Sequence, residues 1–205
     1  MRLVLASASP ARLAVLRAAG IDPVVRVSAV DEDALTRRLP GATPTQLVTA
    51  LAQAKADAVA ADIGAEDPDM VIVGCDSMLH IGGELVGKPG RADVALRRWQ
   101  AMAGGTGELL TGHAVVRLHH GVVTATASDA QTTLVRFGTL SADEISAYVD
   151  TGEPLQVAGA FTLDGRGGWF VDGIDGDPSS VIGISLPLTR RLLAEVGVPV
   201  IALWL

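Results

Sequence analysis

A single cysteine, Cys75, stands among 205 residues. One thiol forms no internal disulfide and supplies no Cys-rich zinc site. Aromatics are nearly as scarce: three Trp, three Phe and one Tyr make up 3% of the chain, so Ala, Val, Leu and Ile are expected to fill the core. No stretch approaches the roughly 18 uninterrupted apolar residues of a membrane span. A secretory signal is not expected, because Arg12 and Arg17 follow too soon for its apolar region. Cationic excess is also missing: 23 acidic against 16 basic residues give a net charge of −7. Such a chain is poorly suited to wrapping a nucleic acid polymer, which is bound by neutralising its phosphates. It can still take a phosphorylated small molecule where a few cations converge. With 49% apolar and 19% charged residues, intrinsic disorder is excluded. No linker, repeat or low-complexity segment divides the chain. One cytoplasmic domain over residues 1–205, with room for two lobes, is expected.

Short apolar runs alternate with amphipathic patterns, which implies an α/β sheet with covering helices. Residues 2–6 read as a buried strand. Ser9-Pro10 offers an N-cap followed by Pro at the first helical position, and Gly20 ends that helix. Residues 23–28 read as a second strand. Thr43-Pro44-Thr45-Gln46 is a capping box, and Leu47, Leu51, Ala54 and Ala58 share one face behind it. Met70-Val71-Ile72-Val73-Gly74 is a strand expected to end at Cys75-Asp76-Ser77. A hairpin follows around Gly82-Gly83, and residues 61–69 read as a surface loop. Residues 91–102 are helical. Residues 114–118 and 132–137 read as antiparallel strands joined near His120-Gly121. Ser141 to Glu144 is a second capping box, and residues 188–196 form a last helix. The Gly-rich stretch 159–176 is expected as hairpins and loops, and 200–203 as a final strand.

Three places carry candidate chemistry. Ser7-Ala8-Ser9-Pro10-Ala11-Arg12, between strand and helix, sets two hydroxyls, backbone N–H groups and a cation at the positive end of a helix, which suits an anion; an ordinary N-cap with a solvated Arg explains the same residues. Asp76 follows an apolar strand, where α/β ligands bind; it can hold a divalent cation or take a proton from water, or simply shape a turn. Gly82-x-x-x-x-Gly87-Lys88 imitates a Walker A loop, but Pro89 stands where a magnesium-binding hydroxyl belongs, so that reading fails. Lys88 remains as a cation in a Gly-Lys-Pro turn. Lys55, set among alanines on a helix, reads as a lysine snorkelling along the surface. The four histidines show no metal spacing, and Asp172, Asp175 and Asp177 lack the final Glu of a calcium loop.

In order along the chain these segments resemble the Maf family, the septum-formation-inhibitor nucleoside triphosphate pyrophosphatases. Leu5 to Arg12 is similar to the family's Ser-x-Ser-Pro-Arg-Arg motif. Val30-Asp31-Glu32 resembles its acidic motif, Ala54-Lys55-Ala56 its helix lysine, Gly74-Cys75-Asp76-Ser77 its catalytic aspartate and Gly87-Lys88-Pro89 its Gly-Lys-Pro motif. Ala158-Gly159-Ala160-Phe161, and Gly183 to Pro187, resemble its C-terminal signatures. The likeness covers residues 3 to about 195. Ala11 departs from the usual Arg, Gln156-Val157 from an Asp-Lys pair, Gly107 from a His, and Asp164 from the Gln of one branch.

The resemblance implies an α/β fold like that of the inosine triphosphatases, an elongated mixed sheet with flanking helices and two lobes around a cleft. It implies hydrolysis of a nucleoside triphosphate to the monophosphate and pyrophosphate, as nucleotide-pool house-cleaning. Asp76 is then the catalytic base. Ser7, Ser9, Arg12, Lys55 and Lys88 hold phosphate, and Glu32 with Asp76 holds Mg2+ or Mn2+. The expected partners are the triphosphate and, as an assembly, a homodimer; no nucleic acid polymer and no membrane is expected. Asp164 is assigned to the base: a carboxylate only accepts hydrogen bonds, which suits the adjacent N1–H and amine of guanine better than thymine or uracil. The family divides between a branch acting on thymidine and uridine triphosphates and a branch acting on 7-methylguanosine triphosphate, and the acidic residue at 164 resembles the second. The competing expectation is a non-catalytic nucleotide-binding regulator of septation.

Overall fold

The computed structural model describes residues 1–63 and 69–205. In chain order the elements are β1 (Arg2–Leu5), α1 (Pro10–Ala18), β2 (Val24–Val25), α2 (Glu32–Arg38), α3 (Pro44–Asp62), β3 (Asp69–Ile81), β4 (Glu84–Val86), α4 (Ala92–Met102), β5 (Thr106–His119), β6 (Val122–Phe137), α5 (Ala142–Asp150), β7 (Val171–Asp175), α6 (Pro178–Ile182) and α7 (Leu186–Glu195). The strands form one sheet in the order β2-β1-β3-β5-β6-β7, with β4 paired to β3. Parallel pairs at β1 give way to antiparallel ones at β4 and β7, so the sheet is mixed. The expected α/β class with flanking helices is what the chain adopts. Of the expected loop at 61–69, residues 64–68 lie outside the described residues.

Two compact units divide the chain. The first comprises Met1–Asp76, Thr111–Gln131 and Gly183–Leu205; the second comprises Ser77–Leu110 and Thr132–Ile182. In the first unit β1, β3 and β5 are covered on both faces, which is why they read as continuous apolar runs. Side chains alternate: Leu3, Leu5, Val71, Val73, Cys75 and Val115 pack with Leu16, Ile184, Leu188 and Leu192. Val4, Ala6, Met70, Ile72, Ala114 and Val116 pack with Ala52, Ala56 and Val59 of α3. The period of two therefore aims even-numbered residues of β3 at α3.

The aliphatic core that the composition implies gains an aromatic cluster in the second unit. Trp99 is fully buried and meets Phe137, Tyr148 and Phe170 edge-on at ring-centroid distances of 5.8, 5.5 and 5.9 Å. Its indole N–H donates to the Ala160 carbonyl at 2.7 Å. The few aromatics are thus concentrated here, where each contributes large apolar area and favourable edge geometry.

Local signals placed three of the helix starts. Thr43 and Ser141 form full capping boxes and Ser9 caps α1. His120 and Gly121, with φ of 48° and 74°, turn β5 into β6, and a two-residue connection between neighbours demands antiparallel strands. Other expectations need correction. The strand at 23–28 shrinks to Val24–Val25. Residues 200–203 form a 3-10 turn rather than a strand, and 158–170 fold largely as 3-10 turns leading into β7. Asp76 does not end its strand: β3 continues five residues further to Ile81, because its later residues pair with β4 across the Gly82-Gly83 turn. No helix among the described residues is long and apolar enough to cross a membrane.

Candidate active site

Close backbone approach sets up the site in the first unit. At Gly74 a Cβ would run into the Ala52 carbonyl and stand 3.0 Å from the Ala56 nitrogen; at Gly112 it would run into the Val48 carbonyl. Only glycine at both positions lets α3 lie directly on β3 and β5. That seating carries Lys55 inward, and the residue is 7% exposed. The surface-lysine reading is therefore wrong. Asp76, two residues beyond Gly74 and on the same face of β3, is 6% exposed.

The Lys55 ammonium lies 2.5 Å from Asp76 Oδ1 and 2.7 Å from Glu32 Oε1. Glu32 opens α2 behind the cap residue Asp31, whose Oδ1 accepts the Ala34 N–H at 2.8 Å. Its side chain is half exposed, so the ion pairs run from the interior toward solvent. Burial pushes the Asp76 carboxyl above the usual carboxylate range, against the pull of Lys55 and Arg12. The second oxygen, Asp76 Oδ2, is buried with no hydrogen-bond partner. A buried acceptor left open this way is costly in a finished fold, and it marks a place for a ligand.

The loop before α1 is held from three sides. Ser7 Oγ accepts the Ser9 N–H at 3.2 Å and an Arg12 Nη1–H at 3.0 Å. Arg12 Nη1 also donates to the Cys75 carbonyl at 2.8 Å, and Nε donates to the Gly183 carbonyl at 2.9 Å. Ser9 Oγ accepts the Arg12 N–H as N-cap. Arg12 is therefore a braced cation rather than a solvated one, and it ties the loop to the residue preceding Asp76. The Cys75 thiol points into the opposite core, where burial raises it to about 11.

The first unit brings together Ser7, Ser9, Arg12, Glu32, Lys55 and Asp76; Lys88 and Asp164 belong to the second. Lys88 is exposed on a pinned loop. The Gly87 carbonyl accepts Arg98 Nη1 at 2.6 Å and the Gly159 N–H at 3.2 Å, and the Gly90 N–H donates to Leu155. Asp164 is exposed in a loop whose anchor the sequence reading missed. Glu153 Oε1 accepts Thr162 Oγ1 at 2.5 Å, the Gly167 N–H at 3.0 Å and the Tyr148 hydroxyl at 3.1 Å. Partial burial raises the Glu153 carboxyl, but these donors outweigh it and hold it below its ordinary range. A lone Glu behind Gly152 gave no signal of that role.

The sequence profile described as Maf-like protein matches residues 2–196. The chain is 63% identical, over its whole length and 97% of the relative's, to a nucleoside triphosphate pyrophosphatase of Saccharopolyspora erythraea. It is 64% identical to one of Nocardia farcinica, across 98% of this chain and 96% of that one. A third, from Rhodococcus erythropolis, is 59% identical across 99% and 96% of the two chains. From the serine loop before α1 to the end of α7, this chain belongs to the family of Maf-like proteins.

Proposed function

We propose that this chain hydrolyses a nucleoside triphosphate with water to the monophosphate and pyrophosphate, cleaving the α–β anhydride. The observation that carries the reading is Asp76: one oxygen fixed by Lys55, the other buried and unsatisfied. A carboxylate so oriented can hold a water and take its proton as the oxygen attacks phosphorus. The pull of Lys55 opposes the burial that raises the Asp76 carboxyl. An ammonium has three donors, so two carboxylate contacts leave one for a phosphate oxygen. Arg12, with the α1 N-terminus behind Ser9 and the Ser7 hydroxyl, neutralises charge on the triphosphate. Such positioned electrostatics carry most of the catalysis in phosphoryl transfer.

Glu32 and the open oxygen of Asp76 suit a hard divalent cation, Mg2+ or Mn2+. Such an ion keeps several waters and takes substrate phosphates as further ligands. When bound, such an ion supplies further neutralisation of phosphate charge. The assignments of phosphate to Lys88 and of the base to Asp164 rest on their motif positions. With its carboxylate, Asp164 favours a guanine-type or modified purine triphosphate over dTTP and UTP. Residues 1–205 act as one functional domain.

The test is a panel of 7-methyl-GTP, GTP, CTP, UTP and dTTP with Mg2+ or Mn2+, read as pyrophosphate against orthophosphate. Pyrophosphate and monophosphate are expected, with purines preferred and the ranking altered in Asp164→Gln. Orthophosphate release overturns the reaction, and tight binding without turnover supports the regulator instead. A preference for dTTP, or an unaltered ranking in the variant, removes Asp164 from base selection.

A further inference from the structure

His113, a residue the reaction does not use directly, lies in β5 and is fully buried. Its Nε2 is 2.8 Å from the Ser185 backbone nitrogen, and its Nδ1 is 3.0 Å from the Thr111 carbonyl oxygen. A backbone N–H can only donate and a carbonyl can only accept, so Nδ1 carries the ring proton and Nε2 is the acceptor. Ser185 is the N-cap of α7, its Oγ accepting the Leu188 N–H at 3.1 Å. Ile184, beside it, is fully buried in the core of the first unit. Gly183 completes the segment. Its φ is +143°, a Cβ would stand 3.2 Å from Arg12 Cγ, and its carbonyl accepts Arg12 Nε. A three-residue segment is thus fastened at one end by a buried imidazole while its other end supplies one of the oxygens that hold Arg12.

We propose that His113 is a positioning residue for Arg12: by accepting the Ser185 N–H it fixes residues 183–185, and through the Gly183 carbonyl it sets the guanidinium that meets the triphosphate. This rests on the pyrophosphatase reading of the site. The segment is buried, so no water replaces the acceptor when it is removed. The guanidinium then loses a fixed partner, and small misplacements at a charged substrate cost much in affinity.

Two substitutions separate the two ring nitrogens. His113→Gln puts an amide oxygen near the Nε2 position and keeps an acceptor for Ser185; His113→Asn reaches only the Nδ1 position and loses it. His113→Asn is expected to lower kcat/KM for the preferred triphosphate about tenfold, and His113→Gln to stay near wild type. In an Arg12→Ala background His113→Asn should add little. Equal kinetics for Asn and Gln, or full additivity with Arg12→Ala, overturns the proposal. A second readout needs no turnover: hydrogen exchange of the Arg12 Nε–H by NMR. It should be slow in wild type and His113→Gln and fast in His113→Asn. Equal exchange in the two variants, or fast exchange in His113→Gln should the Asn variant not fold, also overturns it. A wild type that releases no pyrophosphate sinks the function assigned to the site, while the exchange comparison still decides the role of His113.

Discussion

At the scale of single residues, the Lys55–Asp76 pair combines function and stability in a way that can be taken apart. Asp76→Asn keeps the shape and removes both charge and basicity. Turnover should fall by about 10²–10⁴-fold, with the fold intact by circular dichroism because Lys55 retains Glu32. A variant keeping more than about a tenth of wild-type kcat excludes Asp76 as the base. Lys55→Ala should be the harsher change. Stripping one partner from a buried ion pair costs about 3–5 kcal/mol, far beyond the roughly ±0.5 kcal/mol of a surface lysine. Urea midpoints for Lys55→Ala and Lys88→Ala compare the two cases directly. Lys88 is exposed, so its variant should unfold where wild type does. Similar midpoints for both variants exclude a structural role for Lys55.

Elements add what no residue holds alone. The loop carrying Asp164 stays folded over because one oxygen of Glu153 gathers three donors. Its carboxyl sits below its ordinary value of 4.5 in the folded chain, so the unfolded chain binds more protons as acid is added. The stabilisation is therefore complete above that ordinary value and is lost as pH falls through the depressed one. Glu153→Gln should lower the urea midpoint near about pH 7, with the gap to wild type narrowing toward about pH 3. A constant gap shows that charge plays no part. Helix starts were legible in the sequence because caps are local: Thr43 with Gln46 and Ser141 with Glu144 declare themselves within four residues. The helix α2 carries equally local signals, Asp31 as cap, Glu32 and Asp33 in its first turn and Arg37 and Arg38 in its last, although no helix is assigned there from the sequence. The length of β3 was not legible, since its continuation past Asp76 depends on pairing with β4. Nor was the burial of Lys55. Alanines flank it in the chain, and only the meeting of α3 with Gly74 and Gly112, residues distant in sequence, brings it inside. The resemblance to a family named the candidate site residues, while the bonds to Cys75, Gly183 and Glu32 are tertiary.

For the whole molecule, the first unit is assembled from three separated pieces of chain. Its core takes Ile184, Leu188, Leu192, Leu193, Val196, Val198 and Leu203 from the last piece. Burying one such side chain is worth about 1.5–3 kcal/mol, and a domain holds only about 5–15 kcal/mol in all. A chain ending at Ile182 should therefore lose the cooperative unfolding of its first unit, seen as fast amide exchange in β1 and α1. Native-like protection there shows that the N-terminal pieces fold alone.

The bond from Arg12 to Gly183 spans 171 residues of sequence, and that span carries a consequence for the order of synthesis. A ribosome delivers Arg12, Glu32, Lys55 and Asp76, together with the Ser7 and Cys75 oxygens that also hold the arginine, well before the Gly183 carbonyl. Contacts so remote form late, after the intervening chain has closed its long loops. A nascent chain that stops short of residue 183 therefore displays the charged groups of the candidate site with one of the arginine's three oxygens missing. On the proposed reading, triphosphate turnover should begin only once residues 183–185 have been made.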